Sequence, residues 1–459
     1  MKLSYGADLP DHDPQSVFDW HERPGALERL TPPWGDVEVV QQSGGIKDGG
    51  EVKLRIRRGP TTFHWHVRHR EYEAGRQFRD EQIHGPLKSW IHTHRFLPLP
   101  GGGTHVEDEI EVEPPLGAAG AAFGPTFIKH ELGRLFRFRY RRLHTDLARH
   151  RAFRDRPRLT VAITGASGLI GRSLGHFLTT GGHDVIRFVR DSRKVGEGSA
   201  YWNPATGEID EAALSRSDAV VHLAGTSIAA GRWTDDRKSS ILKSRAMGTE
   251  LLARTIGNVS PRPRVLVSAS AVGYYGDRGA EQLDEQAKSG AGFLAEVCRA
   301  WEGAARAAER AGVRVVLMRN GLALSPAGGA LGQMLLPFKV GLGGRIGSGQ
   351  QYVSWIDLDD LVALIVHALY TESLVGPVNA TAPHPVTNAT FTSALGRALG
   401  RPTIVPVPAL AVKALFGQLG TEALLWGQRV LPRKATGAGF DFFYEGVEES
   451  LRFQLGREA

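Results

Sequence analysis

Two different patterns of hydrophobic and polar positions divide the chain. In the first 125 residues, short runs alternate apolar and polar side chains, as in 51–57, 62–68 and 106–112. Alternation with a period of two predicts strands with one buried face, and the glycine pairs between the runs predict turns. We therefore expect an antiparallel sheet, followed by a helical stretch over 127–153.

From Leu159 onward, short apolar strands alternate with amphipathic helices. Strands are predicted at 159–164, 184–189, 218–223, 264–268 and 313–318, and helices at 169–179, 243–256 and 294–311. Repetition of this kind predicts an α/β fold with a doubly wound parallel sheet. We therefore divide the chain into an α+β domain (1–153), a linker (154–158), a doubly wound domain (159–373) and a small α+β C-terminal region on the substrate side (374–459).

Composition narrows the class of protein. The chain has 459 residues, of which 41% are hydrophobic and 23% are charged, as in soluble globular proteins. The first residues lack an apolar core, and no stretch approaches the roughly 20 apolar residues that span a bilayer. Cys298 is the single cysteine, so no intrachain disulfide can form. We predict a cytoplasmic protein without a membrane span.

The positive charge of the chain is concentrated in one segment. The formal net charge is +7, and ten arginines lie within residues 134–158. Such a cluster can contact nucleic acid, but aromatic and acidic residues interrupt it and no nucleic-acid motif accompanies it. We interpret it as a solvated helix face followed by the linker, and predict no nucleic-acid partner.

A glycine-rich turn follows the first strand of the doubly wound domain. The strand ending at Thr164 continues directly into Gly165-Ala-Ser-Gly168-Leu-Ile-Gly171, and a helix begins there. Gly165 permits the tight turn, Gly168 lets a pyrophosphate approach the backbone, and Gly171 allows helix and strand to pack closely. The pyrophosphate then meets a helix N-terminus, which favours anions. In this strand–turn–helix context, the motif predicts a dinucleotide site.

The end of the second strand predicts which dinucleotide binds. A carboxylate there would bond the ribose 2′-hydroxyl of NAD, whereas this chain has Arg190. An arginine can form a bidentate pair with the 2′-phosphate of NADP. Asp191 competes with this interpretation, because it could bond the hydroxyl instead. We predict NADP(H) as the cofactor.

Several motifs together resemble one enzyme family. The glycine turn resembles that of extended and atypical short-chain dehydrogenase/reductases, and His222-Leu-Ala-Gly225 resembles their element beside the adenine and ribose. The closest resemblance, over about 160–455, is to the cell-division-inhibitor-like epimerase family, whose substrate is unassigned. The motifs that carry it are Arg232-Trp-Thr234, Ser244-Arg245, 270–276, Trp301-Glu302, Arg319-Asn-Gly321, 328–331, 354–357, 429–432 and Gly439-Phe440. Cofactor contacts are therefore expected at Gly165, Ser167, Gly168, Leu169, Ile170, Gly171, Arg190, Arg193, Leu223, Ala224 and Gly225.

The first 153 residues resemble a different family. Phe18-Asp-Trp-His21, Pro24-Gly-Ala-Leu27 and Pro32-Pro-Trp34 are similar to START-like (SRPBCC) helix-grip domains, which are fused to some members of the epimerase family. The resemblance implies a curved antiparallel sheet around a long C-terminal helix, with an apolar cavity between them. We therefore expect a hydrophobic ligand as a partner of this domain.

The catalytic residues depart from the family pattern. Short-chain dehydrogenases use a tyrosine with a lysine four residues later, and none of the nine tyrosines here has that lysine. Aligned on Trp301-Glu302, the expected pair falls at Leu294 and Cys298, of which Cys298 could ionise only with a depressed pKa. The candidates that remain are Ser270, placed to bond a substrate oxygen, Tyr274 or Tyr275, which could supply a phenol, and Arg245, which could bind an anionic substrate.

Histidines are concentrated in the first domain. His64 and His66 have i, i+2 spacing, as do His92 and His94, so on a strand each pair points to one face, and His69 is nearby. Such an array could bind zinc, but no carboxylate or cysteine completes a recognisable ligand set. We interpret these residues as partly buried sheet histidines and predict no metal.

Two functions remain open from the sequence. The first is an NADP(H)-dependent oxidoreductase or epimerase-like enzyme that acts on a small-molecule substrate. The second, favoured by the missing tyrosine–lysine pair, is a non-catalytic protein that senses NADP(H) or binds a ligand. Hydride exchange in a substrate screen distinguishes them. Neither the substrate nor the oligomeric state follows from the residues.

Overall fold

The computed structural model describes residues 1–114 and 117–458. They form two compact units, of which the first consists mainly of residues 1–156 and the second of 157–178 and 183–455. The division after Arg156 falls inside the predicted linker.

The first unit is an antiparallel sheet with three helices. Its elements are β1 (Lys2–Leu9), α1 (Pro14–Glu22), α2 (Ala26–Leu30), β2 (Asp36–Ser43), β3 (Glu51–Arg58), β4 (Thr61–Glu73), β5 (Gln77–His84), β6 (Ser89–Pro98), β7 (Thr104–Glu113) and α3 (Gly117–Arg151). The seven strands have the order β1-β7-β6-β5-β4-β3-β2, and every two neighbouring strands in this order run antiparallel. The three strands predicted from alternation are β3, β4 and β7.

Helix α3 packs along one face of this sheet. Leu132 and Phe136 pack with Trp90 and Ile110 of β6 and β7, and farther along α3, Leu143 lies in a second apolar cluster. Burying each such side chain contributes roughly 1.5–3 kcal/mol. The helix begins at Gly117, ten residues before the predicted start. The predicted start is late because the first turns of the helix are rich in glycine and carry no apolar periodicity. The helix-grip fold implied by the resemblance is confirmed.

The second unit alternates strands and helices. Its strands are β8 (Thr160–Thr164), β9 (Asp184–Val189), β10 (Ser199–Asn203), β11 (Glu208–Ile209), β12 (Ala219–His222), β13 (Val265–Ala271), β14 (Gln282–Leu283), β15 (Arg314–Asn320), β16 (Leu322–Leu324), β17 (Tyr352–Val353), β18 (Trp355–Asp357), β19 (Gly376–Ala380), β20 (Val386–Thr387) and β21 (Arg429–Val430). Its α-helices are α4 (Leu169–Thr180), α5 (Glu211–Ser215), α6 (Asp235–Asn258), α7 (Phe293–Ala305), α8 (Gly329–Lys339), α9 (Leu358–Tyr370), α10 (Asn388–Leu399), α11 (Ala409–Phe416), α12 (Gln418–Gly420), α13 (Arg433–Gly437) and α14 (Val447–Gln454).

The main sheet of the second unit has the doubly wound topology. Its order is β11-β10-β9-β8-β12-β13-β15-β19, and the strands from β10 to β19 run parallel. The strand order reverses between β8 and β12, since β9 and β10 lie on one side of β8 and the later strands lie on the other. In open α/β sheets, ligands bind at such a switch point, outside the carboxyl ends of the strands. The predicted α/β Rossmann fold is confirmed.

The sheet extends past its predicted end at residue 373. Strand β19 pairs in parallel with β15, so residues 376–380 belong to the main sheet. Buried carboxylates of the α9 region also bond the final segment. Asp360 accepts hydrogen bonds from the backbone of Phe443 and Tyr444 at 3.1 and 3.0 Å, and Asp357 accepts one from the Ser450 hydroxyl at 2.6 Å. Residues 376–455 therefore belong to the same unit as the doubly wound sheet.

No described helix is both long and apolar enough to cross a membrane.

Candidate functional site

The glycine turn lies where the strand order reverses. Gly165 has φ +72°, and a Cβ there would lie 2.8 Å from the backbone of both Leu223 and Ala224. A Cβ on Gly171 would lie 2.8 Å from Ala166 Cα. These two glycines therefore let strand β8, the loop after β12 and helix α4 approach each other more closely than any other residue would allow.

The outer side of the turn is open. Ser167, Gly168 and Gly225 are exposed, and a Cβ on Gly168 would meet the carbonyl oxygen of Gly165 at 3.2 Å. Leu169 and Ile170, at the start of α4, are half-buried. The predicted cofactor residues of β8, α4 and the loop after β12 therefore line one crevice at the carboxyl ends of the strands.

The carboxylate that follows β9 is paired with a neighbouring arginine. Arg190 is exposed, whereas Asp191 caps a short 3-10 helix (Ser192–Lys194) and is paired with Arg193. The Arg193 guanidinium donates hydrogen bonds to both Asp191 oxygens, at 2.9 and 3.0 Å. These bonds and the backbone N–H of Arg193 lower the pKa of Asp191. The carboxylate that competed with the NADP interpretation is thus held by Arg193.

A buried histidine joins three elements beneath the crevice. His222, at the end of β12, is fully buried, and its Nδ1 lies 2.6 Å from the hydroxyl of Thr164 on β8. Its Nε2 lies 2.9 Å from the hydroxyl of Thr249 on α6. Burial, with the nearby Arg245 charge, lowers the pKa of His222 to about 3. The imidazole is therefore neutral and bonds the strand ends to the helix.

A buried polar network lies at the carboxyl end of β13. The hydroxyl of Ser270 donates to Glu302 at 2.8 Å, and the guanidinium of Arg319 donates to both Glu302 oxygens at 2.8 and 2.9 Å. Arg319 also donates to the phenol oxygen of Tyr275 at 3.0 Å, and that phenol donates to Asn379 at 2.7 Å. All five residues lie on or between β13, α7, β15 and β19, whose register places Ser270 beside Arg319 and Arg319 beside Asn379.

The charges of this network are fixed by one another. Burial alone would lower the pKa of Arg319, but its hydrogen bonds to Glu302 raise it overall. Burial raises the pKa of Tyr275 to about 12. The Tyr275 phenol therefore remains protonated, and Glu302 accepts hydrogen bonds from both Ser270 and Arg319. A buried bidentate pair of this kind specifies geometry more than it adds stability.

The remaining catalytic candidates contact cations or carbonyl oxygens. The guanidinium carbon of Arg319 lies 3.5 Å from the centre of the Tyr274 ring. Arg245 donates to the carbonyl of Thr226 at 2.9 Å and lies over the Trp301 ring at 4.8 Å. The Arg245 guanidinium also lies beside Gly225 of the crevice.

The position expected for the tyrosine–lysine pair holds no acid or base. Leu294 is half-buried, and the thiol of Cys298 is buried 3.6 Å from the carbonyl oxygen of Ala271. Burial, reinforced by the Glu302 carboxylate, raises the pKa of Cys298 to about 11. The depressed pKa that an ionised Cys298 would need is therefore absent.

Sequence reasoning missed the polar network, although its members were in view. Glu302 and Arg319 belong to the family motifs of the sequence, but their pairing depends on the packing of α7 against β13 and β15. Their signal in the sequence was a charged residue within an otherwise apolar stretch, because burying a charge requires a partner. Sequence reasoning likewise missed the partners of His222, which are Thr164 and Thr249.

Family models and relatives match both units of the chain. The model of the NAD dependent epimerase/dehydratase family matches residues 161–379, and a domain of unknown function, DUF1731, matches 407–454. An epimerase family protein of Mycobacterium bovis is 46% identical over 297 residues, which cover 65% of this chain and 98% of that relative. The chain belongs to the epimerase family. In addition, the polyketide cyclase / dehydrase and lipid transport family matches residues 10–132, which confirms the fusion to a START-like domain.

Two solved structures of this family are similar to the chain. A nucleoside-diphosphate sugar epimerase from Corynebacterium glutamicum is 33% identical with a TM-score of 0.81, and the match covers 99% of this chain and 90% of that one. The human epimerase family protein SDR39U1, solved with NADPH, is 35% identical with a TM-score of 0.59. That match covers 64% of this chain and 99% of the human chain. The Corynebacterium protein is thus similar along nearly the whole length of this chain.

Proposed function

We propose that this epimerase family member is an NADP(H)-dependent oxidoreductase or epimerase-like enzyme that acts on a small-molecule substrate. The observation that carries the cofactor choice is at the end of β9, where Arg190 is exposed and Asp191 is held by Arg193. An available guanidinium beside an occupied carboxylate favours a 2′-phosphate over a 2′-hydroxyl. The human relative solved with NADPH supports the same choice.

The crevice at the switch point fits a dinucleotide. Gly168 leaves backbone space open at the amino end of α4, where unpaired N–H groups and the helix dipole favour the pyrophosphate. The loop Leu223-Ala224-Gly225 would hold the adenine and ribose side. When bound, the nicotinamide ring would supply the hydride donor or acceptor.

The residues of β13 and its neighbours would then act on the substrate. The Ser270 hydroxyl donates a hydrogen bond to Glu302, which fixes its orientation. The lone pairs of the Ser270 oxygen are then available to accept a hydrogen bond from the substrate. Arg319 in turn fixes Glu302, and we assign both as positioning residues. Tyr274, held against Arg319, and Arg245, beside Gly225, are proposed to contact the substrate.

The burial of Ser270 and the missing tyrosine–lysine pair favour a second function. Ser270 is only 2% exposed and already donates to Glu302, and the tyrosine–lysine pair is absent. A site built in this way can bind NADP(H) without turning over a substrate. The alternative is therefore a non-catalytic sensor of NADP(H).

The N-terminal unit is proposed to bind a hydrophobic ligand, in keeping with its match to a lipid transport family. Titration with a fluorescent fatty acid, displaced by unlabelled lipid, tests this; an unsaturable signal contradicts it.

We further propose a cytoplasmic location.

Calorimetric titration with NADPH, NADH and NADP⁺ tests the cofactor proposal. We expect NADPH to bind with a micromolar or lower Kd, and Arg190→Asp to weaken it by about 1.5–3 kcal/mol, the range for a charge-assisted hydrogen bond. NADH affinity should change much less. The matched control is Arg310→Asp, which makes the same charge change at an exposed residue of the 3-10 helix (Arg306–Ala311) that precedes β15.

Three outcomes separate the proposals. If no nicotinamide nucleotide binds, the cofactor proposal is wrong. If Arg190→Asp weakens NADPH and NADH equally, Arg190 does not read the 2′-phosphate. If NADPH binds but isotopic hydride exchange is absent throughout a screen of sugar nucleotides, aldehydes and ketones, the non-catalytic alternative replaces the enzyme.

A further inference from the structure

The register of the N-terminal sheet gathers two histidines and two carboxylates on one face. Asp80 on β5 lies directly opposite His92 on β6, and Asp108 on β7 lies directly opposite His94 on β6. Cross-strand neighbours on one face have Cβ atoms about 5 Å apart. All four side chains are largely buried, and that of Asp80, at 16% exposed, is the most accessible.

Asp108 contacts the two imidazoles on the side away from Asp80. Its Oδ1 lies 2.8 Å from Nε2 of His92 and 2.7 Å from Nδ1 of His94. Its other oxygen accepts a hydrogen bond from the hydroxyl of Tyr140 at 2.6 Å. A carboxylate that accepts one N–H from each ring fixes both tautomers, as the outer carboxylates of metal-bound histidines do.

The opposite ring nitrogens both face Asp80. Nε2 of His94 lies 3.1 Å from Asp80 Oδ1, and Nδ1 of His92 lies 3.5 Å from Asp80 Oδ2. Ligand atoms at 2.0–2.2 Å from a tetrahedral zinc ion are roughly 3.3–3.5 Å apart. One ligand atom from each of these three residues lies within 4.8 Å of the other two. The spacing therefore suits a small divalent ion with little movement of the side chains.

The surroundings favour a site over a surface cluster. Phe78 stacks on His94 with ring centres 4.2 Å apart, and Phe136 packs edge-on against His92 at 5.6 Å. On β4, His69 lies opposite Asp80, is 6% exposed, and its Nδ1 has no hydrogen-bond partner. A buried polar atom without a partner calls for an explanation such as an ion or water nearby.

We propose that Asp80, His92 and His94 bind one divalent transition-metal ion, with Zn²⁺ as the expected ion and Asp108 as the residue that orients the two rings. The ligands are an Asp80 oxygen, Nδ1 of His92 and Nε2 of His94. Three protein ligands leave a fourth position for water or an oxygen of a bound ligand, as in zinc sites that do chemistry. The carboxylate ligand that the sequence alone did not reveal is thus Asp80, on the neighbouring strand.

Metal titration of the full chain tests this site. After removal of metal with a chelator, the protein is titrated calorimetrically with Zn²⁺, and separately with Co²⁺, whose visible absorption reports tetrahedral coordination. We expect one equivalent of Zn²⁺ per chain with a micromolar or lower Kd. His92→Gln and His94→Gln should each weaken it at least 100-fold. Asp108→Asn should weaken it by 10–100-fold while keeping the stoichiometry, the usual loss for an outer carboxylate.

A matched control comes from the same sheet. His66 on β4 pairs with Glu51 at 3.0 Å, so His66→Gln removes another histidine–carboxylate pair and should leave the Kd unchanged. Circular dichroism of each variant shows whether it folds. The proposal is overturned if the wild type binds less than one equivalent, if Co²⁺ shows no tetrahedral absorption, or if the His92 and His94 variants bind like the wild type. In that case the cluster is a set of hydrogen-bonded ion pairs.

Discussion

The neutral histidine beneath the crevice gives the second unit a defined response to acid. His222 has a pKa of about 3 in the folded chain, against an ordinary value of 6.5. Below pH 6.5 the unfolded chain therefore binds a proton that the folded chain does not, and the free energy of unfolding falls as the pH falls. Each pH unit between the two values costs about 1.4 kcal/mol. From pH 7.5 to 4.5, His222 alone should cost about 2–3 kcal/mol.

The substitution His222→Asn removes this proton and keeps a polar side chain between Thr164 and Thr249. Denaturant-dependent hydrogen exchange of peptides from β8 and β12 measures the free energy of unfolding of this unit at each pH. The variant should be less stable at neutral pH, but its decline between pH 7.5 and 4.5 should be about 2–3 kcal/mol smaller. His384→Asn, at a side chain 68% exposed, is the control and should keep the wild-type slope. Equal slopes for the wild type and the His222 variant would refute the reasoning.

Three further predictions follow from the packing. Gly165→Ala should abolish nucleotide binding and destabilise the second unit by at least 1–2 kcal/mol, because of its positive φ and the Cβ contacts with the loop after β12; unchanged calorimetric affinity would contradict this. Asp146→Asn should destabilise the first unit by about 3–5 kcal/mol, since Arg29, 2% exposed, would lose its bidentate partner; a urea denaturation shift below 1 kcal/mol would contradict it. Glu302→Gln should destabilise β13 and β15 by a similar amount, because Arg319 would lose its charged bidentate partner and keep only neutral ones; unchanged hydrogen exchange of these two strands would contradict it.

Much of the fold could be predicted because its determinants are local. The strand before Gly165 and the helix after it follow from adjacent residues, and β9 begins and ends where the pattern indicates. Strand β19 was missed because Gly-Pro at its start is typical of a loop, and its place in the sheet depends on pairing with β15. The early start of α3 was missed because residues 117–126 are rich in glycine and carry no apolar periodicity.

The site divides in the same way. The positions of Gly165, Gly168 and Arg190 could be predicted because they lie in the turn directly after β8 and directly after the end of β9. The Ser270–Glu302 and Glu302–Arg319 bonds span 32 and 17 residues of sequence, so they exist only once the order of strands and helices is known. The register between strands decides which side chains meet across a sheet, and it could not be predicted from this single sequence.

The bonds between α9 and the final segment have a consequence for how the chain tolerates cleavage. Ile404, in the connection between α10 and α11, is 83% exposed, and we expect a protease to cleave near it. Asp360 and Asp357 lie before that point, whereas the backbone of Phe443 and Tyr444 and the hydroxyl of Ser450 lie after it. A chain nicked there should therefore migrate as two fragments in denaturing gels and as one particle in native solution. The C-terminal segment is consequently not a detachable module, and exchanging it between relatives requires exchanging its carboxylate partners as well.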